Sequence, residues 1–223
     1  MSLASHQLRT PLTTVRWIFG KLMRSFSERA TEAEKELMAQ GLSASARMSE
    51  TIGTMLEISR IESGDVQIVP TTVDLCAFFQ KIVRLHHDDC AAKNQSLDVD
   101  CPDGLTVQTD VKFLQEIIEN LLNNAIKYTP AGGSITLKGV RKGKRMMIHV
   151  KDTGYGIPAN QQEKIFTKFF RGENIVRKDT TGTGLGLYLV SLITNLLGGE
   201  ISFISEEGKG TILSLTLNIT AHE

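Results

Sequence analysis

His6 and Thr10 stand four residues apart in Ser5-His6-Gln7-Leu8-Arg9-Thr10-Pro11-Leu12, so on a helix they share a face. Leu8 and Leu12 belong to an apolar stripe, which turns His6 partly toward solvent. An exposed imidazole is neutral much of the time near pH 7, and its free nitrogen can attack phosphorus. Pro11 removes one helical hydrogen bond and predicts a bend just past His6. Taken alone, a single histidine on a helix is more often plain surface than nucleophile.

Further along, Asn120, Asn124 and Lys127 recur at spacings of four and three and form a polar face on an otherwise apolar helix. Amide oxygens suit a hard ion such as Mg²⁺, and a lysine supplies a point charge for phosphate. The plainer reading is an amphipathic helix with one wet face. Asp152 ends a strand and leads into Thr153-Gly154-Tyr155-Gly156, where glycines let backbone approach a ring. A carboxylate there suits a base bearing an exocyclic amine, although a generic Asp-Gly turn has the same look. Between residues 160 and 182, Lys164, Lys168, Arg171, Arg177 and Lys178 alternate with Phe166, Phe169 and Phe170. Charge runs are usually solvated faces; here the phenylalanines would anchor a loop whose cations could swing over phosphates. Gly182-Thr183-Gly184-Leu185-Gly186-Leu187 precedes a helix, and amides at a helix N-terminus attract anions. It is neither a dinucleotide fingerprint nor a P-loop, because no Gly-Lys-Ser/Thr follows.

In order and spacing these segments resemble the motifs of the sensor histidine kinases. Ser5 to Leu12 resembles their H-box, Asn120 to Pro130 the N-box, and Asp152 to Pro158 the G1 box. Ile165 to Gly172 resembles the F-box and Gly182 to Leu187 the G2 box, so the likeness covers essentially the whole chain. The resemblance implies an ATP-dependent enzyme in which His6 is the phosphoacceptor, with Gln7 and Thr10 beside it. It implies a nucleotide site built from Asn120, Asn124, Lys127, Tyr128, Asp152, Gly154, Gly156, Arg171, Gly182, Thr183, Gly184, Leu185, Gly186 and Thr211. Asn120 and Asn124 would hold Mg²⁺, Asp152 would accept from the adenine amino group, and Thr211 would help hold adenine through that aspartate and water. The implied partners are a response regulator receiver domain, whose aspartate takes the phosphoryl group, and a second copy of the chain. Gln7 departs from the family, where many members carry Glu or Asp; a glutamine can orient imidazole but cannot act as a base. Thr10 fits the position that supports dephosphorylation of the regulator. The competing functions are a catalytically weak nucleotide-binding module and an ATPase without histidine transfer.

Elements must position these groups. Leu8, Leu12, Val15, Phe19, Leu22 and Phe26 step by four and three, a heptad-type stripe on a first helix. Thr31-Glu32-Ala33-Glu34 has the capping-box form and should open a second helix, whose apolar side is Leu37, Ala44, Met48, Ile52 and Met55. Two single stripes cover each other poorly, so a dimeric four-helix bundle is expected, with an intramolecular coiled-coil hairpin as the alternative. Residues 1–63 form this dimerisation and phosphotransfer domain, and 64–223 an ATP-binding catalytic domain. In the latter, Leu75 to His87 reads as helix, Ser96 to Asp100 and Leu105 to Thr109 as strands, and Asp110 as the cap of a helix reaching Tyr128. A hairpin turns at Lys142-Gly143, a helix runs from about Gly184 to Leu197, and strands 200–205 and 211–218 follow. The fold class is α+β: the helical hairpin, then an α/β sandwich with a mixed sheet and helices on one face, the Bergerat ATP-binding fold by resemblance.

Composition bounds the rest. The chain has 223 residues, with 25 basic and 25 acidic side chains and zero formal net charge, which leaves no electrostatic footprint for nucleic acid or an anionic membrane. No apolar run is long enough to span a bilayer and no signal peptide is present, so a cytoplasmic fragment is expected, its parent attached to the inner membrane or not. Met1-Ser2-Leu3 runs straight into a periodic helix, as in a piece of a longer protein. Cys76, Cys90 and Cys101 lack metal-ligand spacing; reduced thiols without a role are the simplest reading.

Overall fold

Thr31 opens the second helix as its sequence requires. Its hydroxyl accepts from Glu34 N at 3.3 Å, and the Glu34 carboxylate accepts from Thr31 N at 2.8 Å. The computed structural model describes residues 3–26, 29–172 and 182–218, and among residues 3–12 it describes a side chain only at Pro11. The chain divides into two compact units, Met1–Gly64 and Asp65–Glu223.

In the first unit, α1 (Leu3–Phe26) runs through Pro11 as one helix, and α2 (Glu32–Glu62) follows. The two helices pack where Gly41 lacks a side chain: a Cβ there would lie 2.5 Å from the Phe19 ring. Most of the expected stripes stay open to solvent. Val15, Leu22, Phe26, Leu37, Met48 and Met55 are exposed, and so are Trp17 and Ile18, which the stripe did not include. One hairpin has too little facing surface to cover both stripes. The side chains of Leu8 and Leu12 lie outside the described residues.

The second unit is a two-layer sandwich. A mixed sheet of five strands has the order β2 (Ser96–Asp100), β4 (Ser134–Lys142), β5 (Arg145–Asp152), β7 (Gly210–Asn218), β6 (Glu200–Glu206). Only β2 and β4 run parallel; the other pairs are antiparallel. Period-2 alternation puts Ile135 and Leu137, Met146, Ile148 and Val150, and Leu213, Leu215 and Leu217 on one buried face. Against it lie α5 (Val111–Tyr128), whose Leu114, Ile117, Ile118, Leu121 and Leu122 are fully buried at helical spacing, and α6 (Gly186–Leu196). Burying each such side chain stabilises the fold by about 1.5–3 kcal/mol.

Four features differ from the sequence reading. The helix expected over 75–87 is two helices, α3 (Leu75–Leu85) and α4 (His87–Ala92), because His86 leaves helical geometry at φ −99° and ψ 3°. A short strand, β1 (Thr71–Asp74), pairs with β3 (Thr106–Thr109) in a separate two-stranded sheet, where no strand was expected after Pro70. A 3-10 turn spans Ala159–Lys164. Cys76 and Cys101 form a disulfide with Cα atoms 5.6 Å apart, which corrects the reading of all three cysteines as reduced; Cys90 is free and buried. The fold sets the first turn of α3 beside the chain leaving β2, a proximity that a separation of 25 residues conceals. No helix among the described residues is long and apolar enough to cross a membrane.

Candidate nucleotide site

Asp110 begins the construction of the site. Its Oδ1 accepts from Lys112 N at 2.9 Å and Phe113 N at 3.4 Å, the N-cap geometry that starts α5. Its Oδ2 accepts from Val69 N at 2.9 Å, tying the segment before β1 to the same helix. The other end of α5 is held as firmly. Lys93 Nζ donates to Ile126 O at 2.9 Å and Gln95 Nε2 donates to Thr129 O at 2.6 Å, satisfying carbonyls that a helix C-terminus leaves open. Lys127 and Tyr128 therefore sit on a fixed last turn. Sequence reasoning missed Lys93 and Gln95, since nothing local in residues 93–95 signals a helix more than 30 residues away.

The expected polar face of α5 is present. Asn120 and Asn124 are half-buried, as are Lys127 and Tyr128. Asn120 Nδ2 donates to Glu116 O at 2.8 Å, which fixes the amide and turns Oδ1 to Gly186, where a Cβ would lie 2.8 Å from it. Gly182 is cradled in the same way. A Cβ at Gly182 would meet Lys127 Nζ at 3.0 Å, Arg171 Nε at 3.5 Å and the Tyr128 hydroxyl at 3.6 Å. Two cations and a hydroxyl thus converge on a glycine backbone that leads into α6, whose N-cap residue Leu185 provides no side-chain cap. Thr183 Oγ1 instead accepts from Leu185 N at 3.3 Å. This is the composition of an anion site. Gly184 sits at φ +71°, and a Cβ there would lie 2.6 Å from the Phe169 carbonyl carbon, so only glycine fits. Arg177 and Lys178 lie outside the described residues.

At the end of β5, Asp152 Oδ1 accepts from Gly154 N at 2.8 Å and from Thr211 N at 3.2 Å. Asp152 and Thr211 are cross-strand partners on the buried face of the sheet. Burial pushes the Asp152 carboxyl above its ordinary range, and the two N–H donors only partly oppose that rise. Gly156, at φ +64°, lies against the Glu206 carbonyl with no room for a Cβ. Ser205 joins these parts: its hydroxyl contacts Ile157 N at 2.9 Å, Gly210 O at 3.1 Å and Thr211 Oγ1 at 2.8 Å. No sequence signal marked Ser205, since an edge-strand serine has no distinctive spacing.

The structure brings Asn120, Lys127, Tyr128, Arg171, Gly182 and Gly186 together, and Asp152, Gly154 and Thr211 together. Among the described residues no cluster of His, Cys, Asp and Glu could hold a metal. Amide oxygens of Asn120 and Asn124 on one helix face fit an ion that keeps most of its other ligands from water and phosphate. The backbone of His6, Gln7 and Thr10 lies in α1, and their side chains are outside the described residues.

The two-layer sandwich, the glycine cradle and the half-buried strand-end carboxylate define an ATPase-type nucleotide-binding domain. Residues 109–221 match the family described as histidine kinase-, DNA gyrase B-, and HSP90-like ATPase, and residues 1–64 match the His Kinase A (phospho-acceptor) domain. The chain belongs to the sensor histidine kinases of two-component systems, with a phosphoacceptor domain and an ATPase-type catalytic domain. It is 34% identical over 223 residues to the circadian input-output histidine kinase CikA of Synechococcus elongatus, covering 95% of this chain and 28% of that protein. To sensor histidine kinase WalK of Bacillus subtilis it is 33% identical over 218 residues, covering 96% and 35%. The chain spans about a third of the length of these two curated relatives. In fold it is similar to full-length ShkA in complex with AMPPNP (TM-score 0.82, 23% identity, 99% of this chain and 46% of that one). It is also similar to the Acinetobacter baumannii histidine kinase AdeS (TM-score 0.68, 19% identity, 97% and 98%).

Proposed function

We propose that this chain is the catalytic core of a protein that phosphorylates itself on His6 with ATP and passes the phosphoryl group to an aspartate of a response regulator receiver domain. The observation that carries the reading is the convergence of Lys127, Arg171 and Tyr128 on Gly182, in the same unit as a half-buried carboxylate suited to a base. Residues 64–223 act as the ATP-binding domain and residues 1–63 as the dimerisation and phosphotransfer domain.

The polyphosphate lies along Gly182 to Gly186 and the base lies at Asp152. Mg²⁺, held through Asn120 and Asn124, would neutralise phosphate charge when bound. Lys127 and Arg171 hold the terminal phosphates, so that catalysis is largely positioning and charge neutralisation. A ring nitrogen of His6 forms a bond to the γ-phosphorus as the bond to the ADP oxygen breaks, and the other ring nitrogen loses its proton to solvent water. Gln7 can orient that ring but, as an amide, cannot take the proton. Thr10 supports dephosphorylation of the regulator. The exposed residues Val15, Ile18, Leu22, Phe26, Met48 and Met55 give a second copy an apolar surface to cover, which supports a homodimeric four-helix bundle in a cytoplasmic kinase.

Incubation with γ-labelled ATP and Mg²⁺ tests the reading. Acid-labile label retained on the chain supports a histidine kinase. Label released as inorganic phosphate points to an ATPase without histidine transfer, and binding without either product points to a nucleotide-responsive module.

A further inference from the structure

Ser205 lies on β6, at the edge of the sheet, and its hydroxyl has one proton to give. Three groups meet it. Ile157 N can only donate, and does so at 2.9 Å. Gly210 O can only accept, and lies 3.1 Å away. Thr211 Oγ1, at 2.8 Å, can do either. If the serine proton goes to Gly210 O, both serine lone pairs are acceptors, one for Ile157 N–H and the other for Thr211. Thr211 must then donate to Ser205. Its own lone pairs are all that remain for the side of the site it shares with its cross-strand partner Asp152. The serine is held in place, because Gln162 Nε2 donates to both Ser205 O and Ile157 O at 3.0 Å.

We propose that Ser205 is a specificity-determining positioning residue: by accepting the hydrogen bond that the Thr211 hydroxyl donates, it leaves the base site with acceptors only, selecting a purine that bears an amino group against one bearing a carbonyl in its place. The inference rests on the reading of Asp152 as the residue that meets the base. A carboxylate and a lone-pair hydroxyl side by side match the amino group of adenine. The same pair repels the carbonyl oxygen of hypoxanthine.

The measurement is the ratio of dissociation constants for ITP and ATP, by calorimetry on the full chain, for wild type, Ser205→Ala, Ser205→Thr and Thr211→Val. Ser205→Ala frees the Thr211 proton to meet a carbonyl, so the preference for ATP falls by about fivefold or more, the effect of one neutral hydrogen bond. Ser205→Thr keeps the hydroxyl and keeps the preference. Thr211→Val lowers it too, and the double variant loses no more than the larger single loss, because the two residues act through one proton. A Ser205→Ala protein that binds ATP and ITP more weakly by the same factor has lost only loop support, and overturns the inference while leaving the site reading intact. A wild type without preference for ATP overturns the reading of Asp152 itself, and the inference with it.

Discussion

Asp152→Asn separates the binding role of this residue from its structural cost. The substitution keeps an oxygen where Oδ1 accepts from Gly154 N at 2.8 Å and Thr211 N at 3.2 Å, so the local backbone retains its partners. The other carboxylate oxygen becomes an amide NH₂, which in the proposed site would face the adenine amino group donor to donor. A hydrogen bond to a charged group contributes about 1.5–3 kcal/mol, so ATP affinity should fall by roughly 10- to 150-fold. The empty protein should respond in the opposite sense. Burial holds the folded carboxyl above its ordinary value, so the ionised form is disfavoured in the fold. The stability contributed by the neutral acid is fully present below the unfolded pKa and is lost as pH rises through the raised folded value. Asparagine carries no such loss, so the variant's melting temperature should equal or exceed that of wild type at pH 7. The difference should vanish near pH 3, below the unfolded value. Wild-type ATP affinity should weaken on acidification at a higher pH than an ordinary carboxylate would give. Calorimetry for binding and thermal melts across pH read both effects. Unchanged affinity refutes the base-reading role; affinity and stability falling together would make Asp152 a structural residue.

Three other perturbations follow from the geometry. Gly184→Ala places a Cβ against the Phe169 backbone at a positive φ, costing about 1–3 kcal/mol locally, and nucleotide affinity should fall at least tenfold while the fold survives by circular dichroism. Gln7→Glu puts a carboxylate next to His6 in sequence and, if His6 is phosphorylated as proposed, should raise single-turnover autophosphorylation by about tenfold, below the usual range of general-base assistance, with ATP affinity unchanged; a flat or lower rate would show that water or another group already removes the proton. Thiol alkylation under native conditions should spare the Cys76–Cys101 pair until a dithiol reductant is added, whereas ready labelling of both without reductant would contradict the bridge.

Legibility in the sequence followed the range of the interactions. The Thr31–Glu34 capping box and the Asp110 cap are written within a few residues and appear as read, and the hairpin turn falls one residue later than read, at Gly143-Lys144. The polar face of α5 was legible for the same reason, since helical spacing alone aligns Asn120, Asn124 and Lys127. What stayed hidden is built from distant partners. β1 exists because Thr71 pairs with Thr109, and four residues after a proline carry no strand pattern of their own. The break at His86 lacks Gly or Pro to announce it. Cys76 meets Cys101 only once α3 has packed beside β2. The supports of the site, Lys93 and Gln95 under α5 and Ser205 beside Thr211, act through backbone carbonyls and a shared proton, which no side-chain spacing encodes.

His6 is the residue on which the phosphoryl group is proposed to land. Wild type and His6→Ala, each incubated with γ-labelled ATP and Mg²⁺, should differ in one respect only. Wild type should retain acid-labile, base-stable label approaching one phosphoryl group per labelled site, mapped to the peptide containing His6. His6→Ala should retain none while binding ATP with unchanged affinity, because the nucleophile and the nucleotide cradle belong to different units of the chain. Stoichiometric label on His6→Ala, or label on the wild-type chain that maps away from His6, would contradict the account.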